Sequence, residues 1–152
     1  MFESLRAVPA DPILNLSILS RQDTNPNKVD LGVGMYKDEA GHTAIMEAVS
    51  RAQELILVEE DTKAYVSMAG SKRYCDLLAQ TTLGADHTVL TNNRFAVAQT
   101  PGGSGALRVL AEFINAAKPG ATVWAGNPTW ANHSPIMQSA GLEIKQYPYY
   151  DK

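Results

Sequence analysis

The stretch Gln99-Thr-Pro-Gly-Gly-Ser-Gly-Ala-Leu-Arg108 decides the fold more than any other part of this 152-residue chain. It follows an apolar run, Phe95–Ala98, that predicts a strand. Apolar residues then recur at helical spacing i, i+3, i+4 and i+7: Leu107, Leu110, Ala111 and Ile114. A glycine-rich turn at a helix start presents unpaired N–H groups, and the helix dipole adds about half a positive charge. The stretch therefore predicts a phosphate-binding turn between a strand and a helix.

Residue spacing separates this turn from three known motifs. A Walker A loop needs lysine and Ser/Thr after its last glycine, where the chain has Ala106-Leu107, and a dinucleotide fingerprint needs glycine in place of Arg108. The Gly-Gly-Ser-Gly-Ala run is similar to the nucleophile elbow of hydrolases, with Ser104 as the nucleophile. That serine would need a later acid and histidine, for which the candidates are Glu112 and His133. A serine hydrolase stays a remote alternative.

Composition excludes several classes of protein. A formal net charge of −3 leaves no basic stripe for a nucleic-acid backbone, so no nucleic-acid partner is expected. Polar residues interrupt every apolar stretch before about 18 residues, so no membrane-spanning segment and no membrane partner are expected. The N-terminus shows no signal-peptide pattern. A lone cysteine, Cys75, fits a reducing cytoplasm. The three histidines form no metal-ligand pattern with it, so no metal site is expected: His42, His87 and His133.

The rest of the chain alternates helix and strand signals, which predicts an α/β fold with a mostly parallel sheet. The predicted helices cover 45–56, 74 to near Gly84, and Ser134-Pro135 to Gly141. The predicted strands cover 122–125 and 143–150, and residues 28–36 alternate as a strand or an extended ligand-facing segment would. Because ligands bind beyond the carboxyl ends of parallel strands, the loops at 100–105 and 126–130 are candidates for one crevice.

Four ordered motifs carry a family resemblance. They are Asp11-Pro-Ile-Leu14, Lys28-Val-Asp-Leu-Gly-Val-Gly-Met-Tyr-Lys-Asp-Glu39, Gln99–Arg108 and Asn127-Pro-Thr-Trp-Ala-Asn-His133. Together they closely resemble the N-terminal part of the aspartate/aromatic amino acid aminotransferases, which are pyridoxal-phosphate enzymes of fold type I. The resemblance covers essentially the whole chain. It implies an incomplete form of that α/β fold, with an N-terminal arm at 1–14, a small-domain segment at 15–47 and part of the large cofactor-binding domain at 48–152.

The resemblance also implies roles for six residues. The phosphate of pyridoxal 5'-phosphate would be held by Gly102, Gly103 and Ser104. Trp130 would stack on the pyridine ring. Tyr65 would reach across a homodimer interface to the phosphate of the other subunit's cofactor. Gly34 would lie beside the substrate, where the absence of a side chain permits close backbone approach.

The family's Schiff-base lysine lies downstream of the Trp130 loop in the resemblance, and no lysine of this chain stands in a matching motif. We therefore expect the N-terminal portion of an enzyme that moves the amino group of aspartate or aromatic amino acids to 2-oxoglutarate, with no catalytic residue in this portion. The 152-residue chain alone is expected to be inactive. The alternative is a short non-catalytic protein whose phosphate-binding loop serves binding or assembly. The motifs do not separate the two substrate classes.

Overall fold

A computed structural model of the chain describes residues 2–6 and 12–151. It divides into two compact units, Met1–Lys63 and Ala64–Lys152. The first unit holds helices α1 (Pro12–Gln22) and α2 (Glu47–Glu59). The second unit holds α3 (Lys72–Leu83), α4 (Thr88–Thr91), α5 (Gly102–Ala117), β1 (Thr122–Asn127), α6 (His133–Ser139) and β2 (Glu143–Pro148).

In the first unit, α2 confirms the helix predicted at 45–56, although it runs from Glu47 to Glu59. Helix α1 was not predicted: it begins at Pro12, within the last residues of the predicted arm, at a helix position that the fixed φ of proline favours. Residues 7–11 of that arm lie outside the described residues. The alternating segment 28–36 is irregular rather than a strand, because a strand needs a neighbouring strand to complete its hydrogen bonds.

In the second unit, β1 and β2 form a parallel pair, in register from Thr122 opposite Glu143 to Asn127 opposite Pro148. Helix α6 makes the crossover between them, as a parallel connection requires. This arrangement confirms the predicted α/β fold with parallel strands. The core is small, and its buried side chains are Ala111, Met137, Ala140 and Leu142.

Two sequence predictions in the second unit are wrong. Phe95–Ala98 is extended chain outside any strand. Among the described residues no strand lies beside its backbone, and the next residue with a backbone hydrogen bond is Gln99, whose N–H donates to the carbonyl of Ala69. Helix α6 begins at His133 instead of Pro135. The N–H of His133 already donates to the carbonyl of Trp130, 3.0 Å away, so the preceding loop starts the helix earlier.

Large apolar side chains outside this core stay exposed. Phe113 on α5 is 70% exposed and Trp124 on β1 is 61% exposed. Each strand of the two-stranded sheet also has one edge without a partner in the described part of the chain. Within the same residues, no helix is long and apolar enough to cross a bilayer.

Candidate functional site

The N-terminus of α5 is open. The helix begins at Gly102 after Pro101, and no side chain caps it. The first N–H groups of any helix lack partners within the helix. In this helix they belong to Gly102, Gly103 and Ser104, the residues predicted to hold a phosphate. A 16-residue helix with an uncapped glycine start presents both the donors and the dipole that an anion needs.

The glycines of this turn differ in what surrounds them. Gly102 has a φ of +67°, in the region that favours glycine, and a Cβ built on Gly102 or Gly103 would meet no atom within 4 Å. A Cβ on Gly105 would lie 3.0 Å from the Pro101 ring. Gly105 therefore lets the incoming chain pack on the helix, while Gly102 and Gly103 leave open space above it. We call the turn Gly102–Ser104 the cradle.

The loop after β1 is held by the chain that follows β2. The carbonyl of Asn127 accepts the N–H groups of Tyr149 and Tyr150, at 3.2 and 3.4 Å, and the Asn127–Pro128 peptide is cis. Gly126 leaves room for Tyr149, since a Cβ on Gly126 would lie 3.0 Å from the Tyr149 Cβ. These contacts fix where the loop that carries Trp130 leaves the sheet.

Trp130 is oriented by His133. The two rings meet edge to face, with centroids 5.3 Å apart and planes at 89°. The Nδ1 of His133 lies 2.8 Å from the Thr129 hydroxyl. In the sequence, His133 is a hydrolase or metal candidate and the last residue of the Asn127–His133 motif, and its contact with Trp130 is not predicted. Local spacing gives no signal for that contact, because Trp130 lies in the loop before α6.

A cleft of about 290 Å³ lies between the helices and the carboxyl end of β1. Helix α5 contributes Leu107, one turn beyond the cradle, the loop after β1 contributes Thr129, and α6 contributes its first residue, His133. Its full lining is Leu107, Val123, Trp124, Ala125, Gly126, Thr129, His133, Met137 and Ile144. The cleft lies beside the end of the sheet where ligands of parallel α/β folds bind, but Gly102, Gly103, Ser104 and Trp130 are not among the residues that line it.

The other two predicted residues are not packed. Tyr65 is fully exposed, in irregular chain at the start of the second unit. Gly34 belongs to the first unit, and a Cβ on it would meet no atom within 4 Å. No contact within the described chain supports the predicted role of either residue, and both roles stay predictions.

The serine hydrolase alternative lacks its hydrogen bonds. The Glu112 carboxylate accepts from Arg108, which also donates to the Ser139 hydroxyl. His133 is engaged by Thr129. No hydrogen bond among the described residues joins Ser104, His133 and Glu112, so the relay that such a serine requires is not formed.

At the opposite end of the strands, the carboxyl group of Glu143 has a lowered pKa. The Thr122 hydroxyl and then Lys145 donate hydrogen bonds to Glu143 and lower the pKa of its carboxyl. Both Thr122 and Glu143 begin their strands. No group of His, Cys, Asp and Glu side chains in the described ranges could hold a metal ion. The candidate site itself offers N–H donors for an anion at the cradle and an aromatic ring for stacking at Trp130.

The family profile for aminotransferase class I and II matches residues 26–152. The aspartate aminotransferase of Escherichia coli (strain K12) is 42% identical over 151 residues, which are 99% of this chain and 38% of that protein. The tyrosine aminotransferase of Rhizobium meliloti (strain 1021) is 44% identical, with the same coverage.

Solved structures of aminotransferases also match this chain. An aromatic amino acid aminotransferase from Burkholderia cenocepacia J2315 superposes with a TM-score of 0.91 at 40% identity. The aromatic-amino-acid aminotransferase from Burkholderia pseudomallei, covalently bound to pyridoxal phosphate, superposes with a TM-score of 0.90 at 35% identity. Each comparison covers 99% of this chain and 38% of the solved chain. The chain thus spans little more than a third of the length of the relatives it matches.

Proposed function

This chain belongs to the class I and II aminotransferase family, and we propose that it forms the N-terminal, phosphate-holding portion of a pyridoxal-phosphate-dependent aminotransferase. The observation that carries the proposal is the uncapped N-terminus of α5 at Gly102, Gly103 and Ser104. It fits a phosphate ester in three ways: it offers N–H donors, a serine hydroxyl and open space. A relative of this fold was solved with pyridoxal phosphate bound.

The residues of this chain would bind and orient the cofactor. The cradle would hold its phosphate, and Trp130, held edge-on by His133, would fix the plane of its ring. When bound, pyridoxal phosphate supplies the electron sink that amino-group transfer requires. The segments 1–14, 15–47 and 48–152 would be the arm, small-domain and large-domain portions. Tyr65 would face the partner of a homodimer, for which its full exposure leaves it available, and Gly34 would lie beside the substrate.

The names of the relatives support the class of amino donor, while the acceptor rests on the family resemblance alone. Relatives named as aspartate, aromatic and tyrosine aminotransferases match this chain at 39–44% identity. We infer an amino donor that is aspartate or an aromatic amino acid, and 2-oxoglutarate as the acceptor. A cytoplasmic location belongs to the same proposal.

We further propose that the 152-residue chain does not itself transfer amino groups. Four of its lysines are engaged away from the cradle. Lys28 donates to the carbonyls of Ser20 and Asp23, and the other three pair with carboxylates: Lys63 with Glu60, Lys72 with Asp76 and Lys145 with Glu143. Incubation with aspartate and 2-oxoglutarate should yield no glutamate, and measurable turnover would contradict this statement.

Binding of pyridoxine 5'-phosphate, followed by quenching of tryptophan fluorescence, tests the main proposal. Pyridoxine without the phosphate should bind more weakly, because the cradle contacts only the phosphate. Ser104→Ala should raise the Kd by about tenfold, since a hydrogen bond to a charged group contributes on the order of 1.5–3 kcal/mol. Ser50→Ala on α2 is the matched control and should leave the Kd unchanged. Equal affinity for the two ligands would overturn the proposal.

A further inference from the structure

Gln99 is bound twice by a turn that lies about thirty residues earlier in the chain. Its backbone N–H donates to the carbonyl of Ala69, 2.8 Å away. Its side-chain Oε1 accepts the N–H of Ser71 at 3.0 Å, across 28 residues of sequence. One residue therefore uses both its backbone and its side chain to hold the same turn.

The contact depends on Gly70. This residue has a φ of +88°, and a Cβ built on it would lie 2.3 Å from the Gln99 Cβ and 2.7 Å from Oε1. Real Cβ atoms do not approach other atoms that closely, and the backbone conformation itself disfavours a side chain. Only glycine lets the two segments meet.

The turn that Gln99 holds is itself rigid. The N–H of Gly70 donates to the Ser67 carbonyl at 2.8 Å, and the Ser67 hydroxyl donates to the Gly70 carbonyl at 2.7 Å. Ser71 then caps α3 by accepting the N–H of Tyr74 at 3.4 Å. A displacement of Gly70 therefore moves the whole turn rather than one residue.

Both segments lead within a few residues to predicted cofactor contacts. Tyr65 precedes Ser67 by two residues, a reach of at most about 7 Å, and the cradle begins three residues after Gln99, a reach of at most about 11 Å. Pro101 is packed on Gly105 between them, so the path from Gln99 to the cradle has little freedom.

We propose that Gln99 is a positioning residue that fastens the Tyr65 turn, residues 65–71, to the cradle, with Gly70 as the residue that permits the contact. The proposal rests on the function proposed above, because it gives the two segments one ligand group to share: the cradle binds a phosphate in its own subunit, and Tyr65 would reach the phosphate bound by the partner. The link keeps the two phosphate contacts of one subunit at a constant separation.

Amide NMR spectra of the 16.4 kDa chain, recorded without ligand, test the link directly. Gly70→Ala should shift the amide signals of Gly102, Gly103 and Ser104, more than thirty residues away in sequence. The matched control is Gly84→Ala, since Gly84 has a φ of +89° but nothing within 4 Å of a Cβ. Both substitutions place an alanine at a φ near +90°, and only in Gly70→Ala does the added Cβ meet the Gln99 side chain. Unmoved cradle amides in Gly70→Ala would overturn the proposal.

Substitution of Gln99, on the other side of the contact, keeps the proposal testable if the Gly70→Ala chain does not fold. Gln99→Met keeps the length of the side chain and loses the acceptor, so it should shift the amide of Tyr65, and Gln99→Glu, which restores the acceptor, should return that signal towards the wild-type position. A Tyr65 amide that ignores both variants would overturn the link.

A second arm separates the link from the proposed function. Gly70→Ala should raise the Kd for pyridoxine 5'-phosphate by about tenfold, equivalent to about 1.4 kcal/mol, while Gly84→Ala leaves it unchanged. If the wild-type chain binds no phosphate ester but the shifts across the contact appear, the proposed function fails and the link stands. If binding occurs and Gly70→Ala binds as wild type, the positioning role is refuted.

Discussion

The imidazole of His133 meets the indole of Trp130 edge-on, with ring centroids 5.3 Å apart and planes at 89°. Trp130 is 37% exposed, so part of its side chain is accessible while the neighbouring ring restricts its position. Thr129 completes the arrangement by binding the Nδ1 of His133. A loop tryptophan held in this way is ready to stack on a flat ligand without losing much conformational entropy on binding.

His133→Asn should loosen Trp130. In a Trp124→Phe background, where Trp130 is the sole tryptophan, we expect the near-UV circular dichroism of the indole to fall sharply. The free energy of unfolding should fall by about 0.5–1.5 kcal/mol, which is the range for an aromatic pair. His42→Asn, which removes an exposed imidazole from the first unit, serves as the control. An unchanged near-UV signal in His133→Asn would show that the contact does not order Trp130.

Ala111→Leu should destabilise the second unit. Ala111 on α5 is fully buried at 0% exposure among Met137, Ala140 and Leu142. Additional methylene groups in a packed core cost about 1–3 kcal/mol. Ala116→Leu, on the exposed side of the same helix, makes the same chemical change without overpacking and should be close to neutral. Urea unfolding followed by circular dichroism measures both, and equal midpoints would refute the assignment of this core.

Gly103 and Gly105 should respond in opposite directions to alanine. A Cβ on Gly103 meets nothing, so alanine should stabilise α5 by up to about 1 kcal/mol through helix propensity, yet weaken phosphate binding by filling the cradle. A Cβ on Gly105 would lie 3.0 Å from the Pro101 ring, so Gly105→Ala should lower the thermal midpoint. Thermal unfolding together with pyridoxine 5'-phosphate titration tests both. Tighter binding by Gly103→Ala would place the phosphate elsewhere.

Glu143 should contribute to the acid limb of stability. Its pKa is lowered in the folded chain, chiefly by the Thr122 hydroxyl and then by Lys145. A group whose folded pKa is depressed stabilises the fold above its unfolded pKa, and that stabilisation disappears as the pH falls through the folded pKa. The loss is therefore expected below the ordinary glutamate value of about 4.3. Glu143→Gln should flatten the decline of the unfolding midpoint in this window.

Thr122→Val provides the companion measurement. Removal of the hydroxyl should raise the pKa of Glu143 towards its ordinary value, while Lys145 keeps part of the shift. A carbon-detected NMR titration of the side-chain carboxyl reports this directly. If Thr122→Val leaves the titration unchanged, the hydrogen bond is not the main cause of the lowered pKa.

Much of the second unit could be predicted because its signals are local. The spacing of Leu107 and Ile114 predicted α5, and both side chains pack against the core. The apolar run at 122–125 predicted β1, whose partner β2 was predicted from alternation. Phe95–Ala98 has an equally apolar sequence and forms no strand, since strand formation depends on a neighbour that local sequence does not reveal.

The candidate site divides in the same way. The glycine turn and the family resemblance predicted that the cradle, Trp130 and Tyr65 bind the cofactor and that Gly34 lies beside the substrate. The contacts that would position them were not visible in the sequence: His133 against Trp130, and Gln99 against Gly70. The second pair lies 29 residues apart in the numbering, and no periodicity relates the two positions.

The sequence by itself determined the family, through four ordered motifs that resemble it, and it determined the α/β class and the glycine-rich start of α5 through residue types at short and regular spacing. Only the tertiary structure decided which residues hold that start in place. It showed that Gly70 admits the Gln99 side chain, that Asn127 is bound from the chain after β2, and that His133 meets Trp130. The physical reason is that these contacts depend on distances between segments that the folded backbone brings together, which local propensity does not encode.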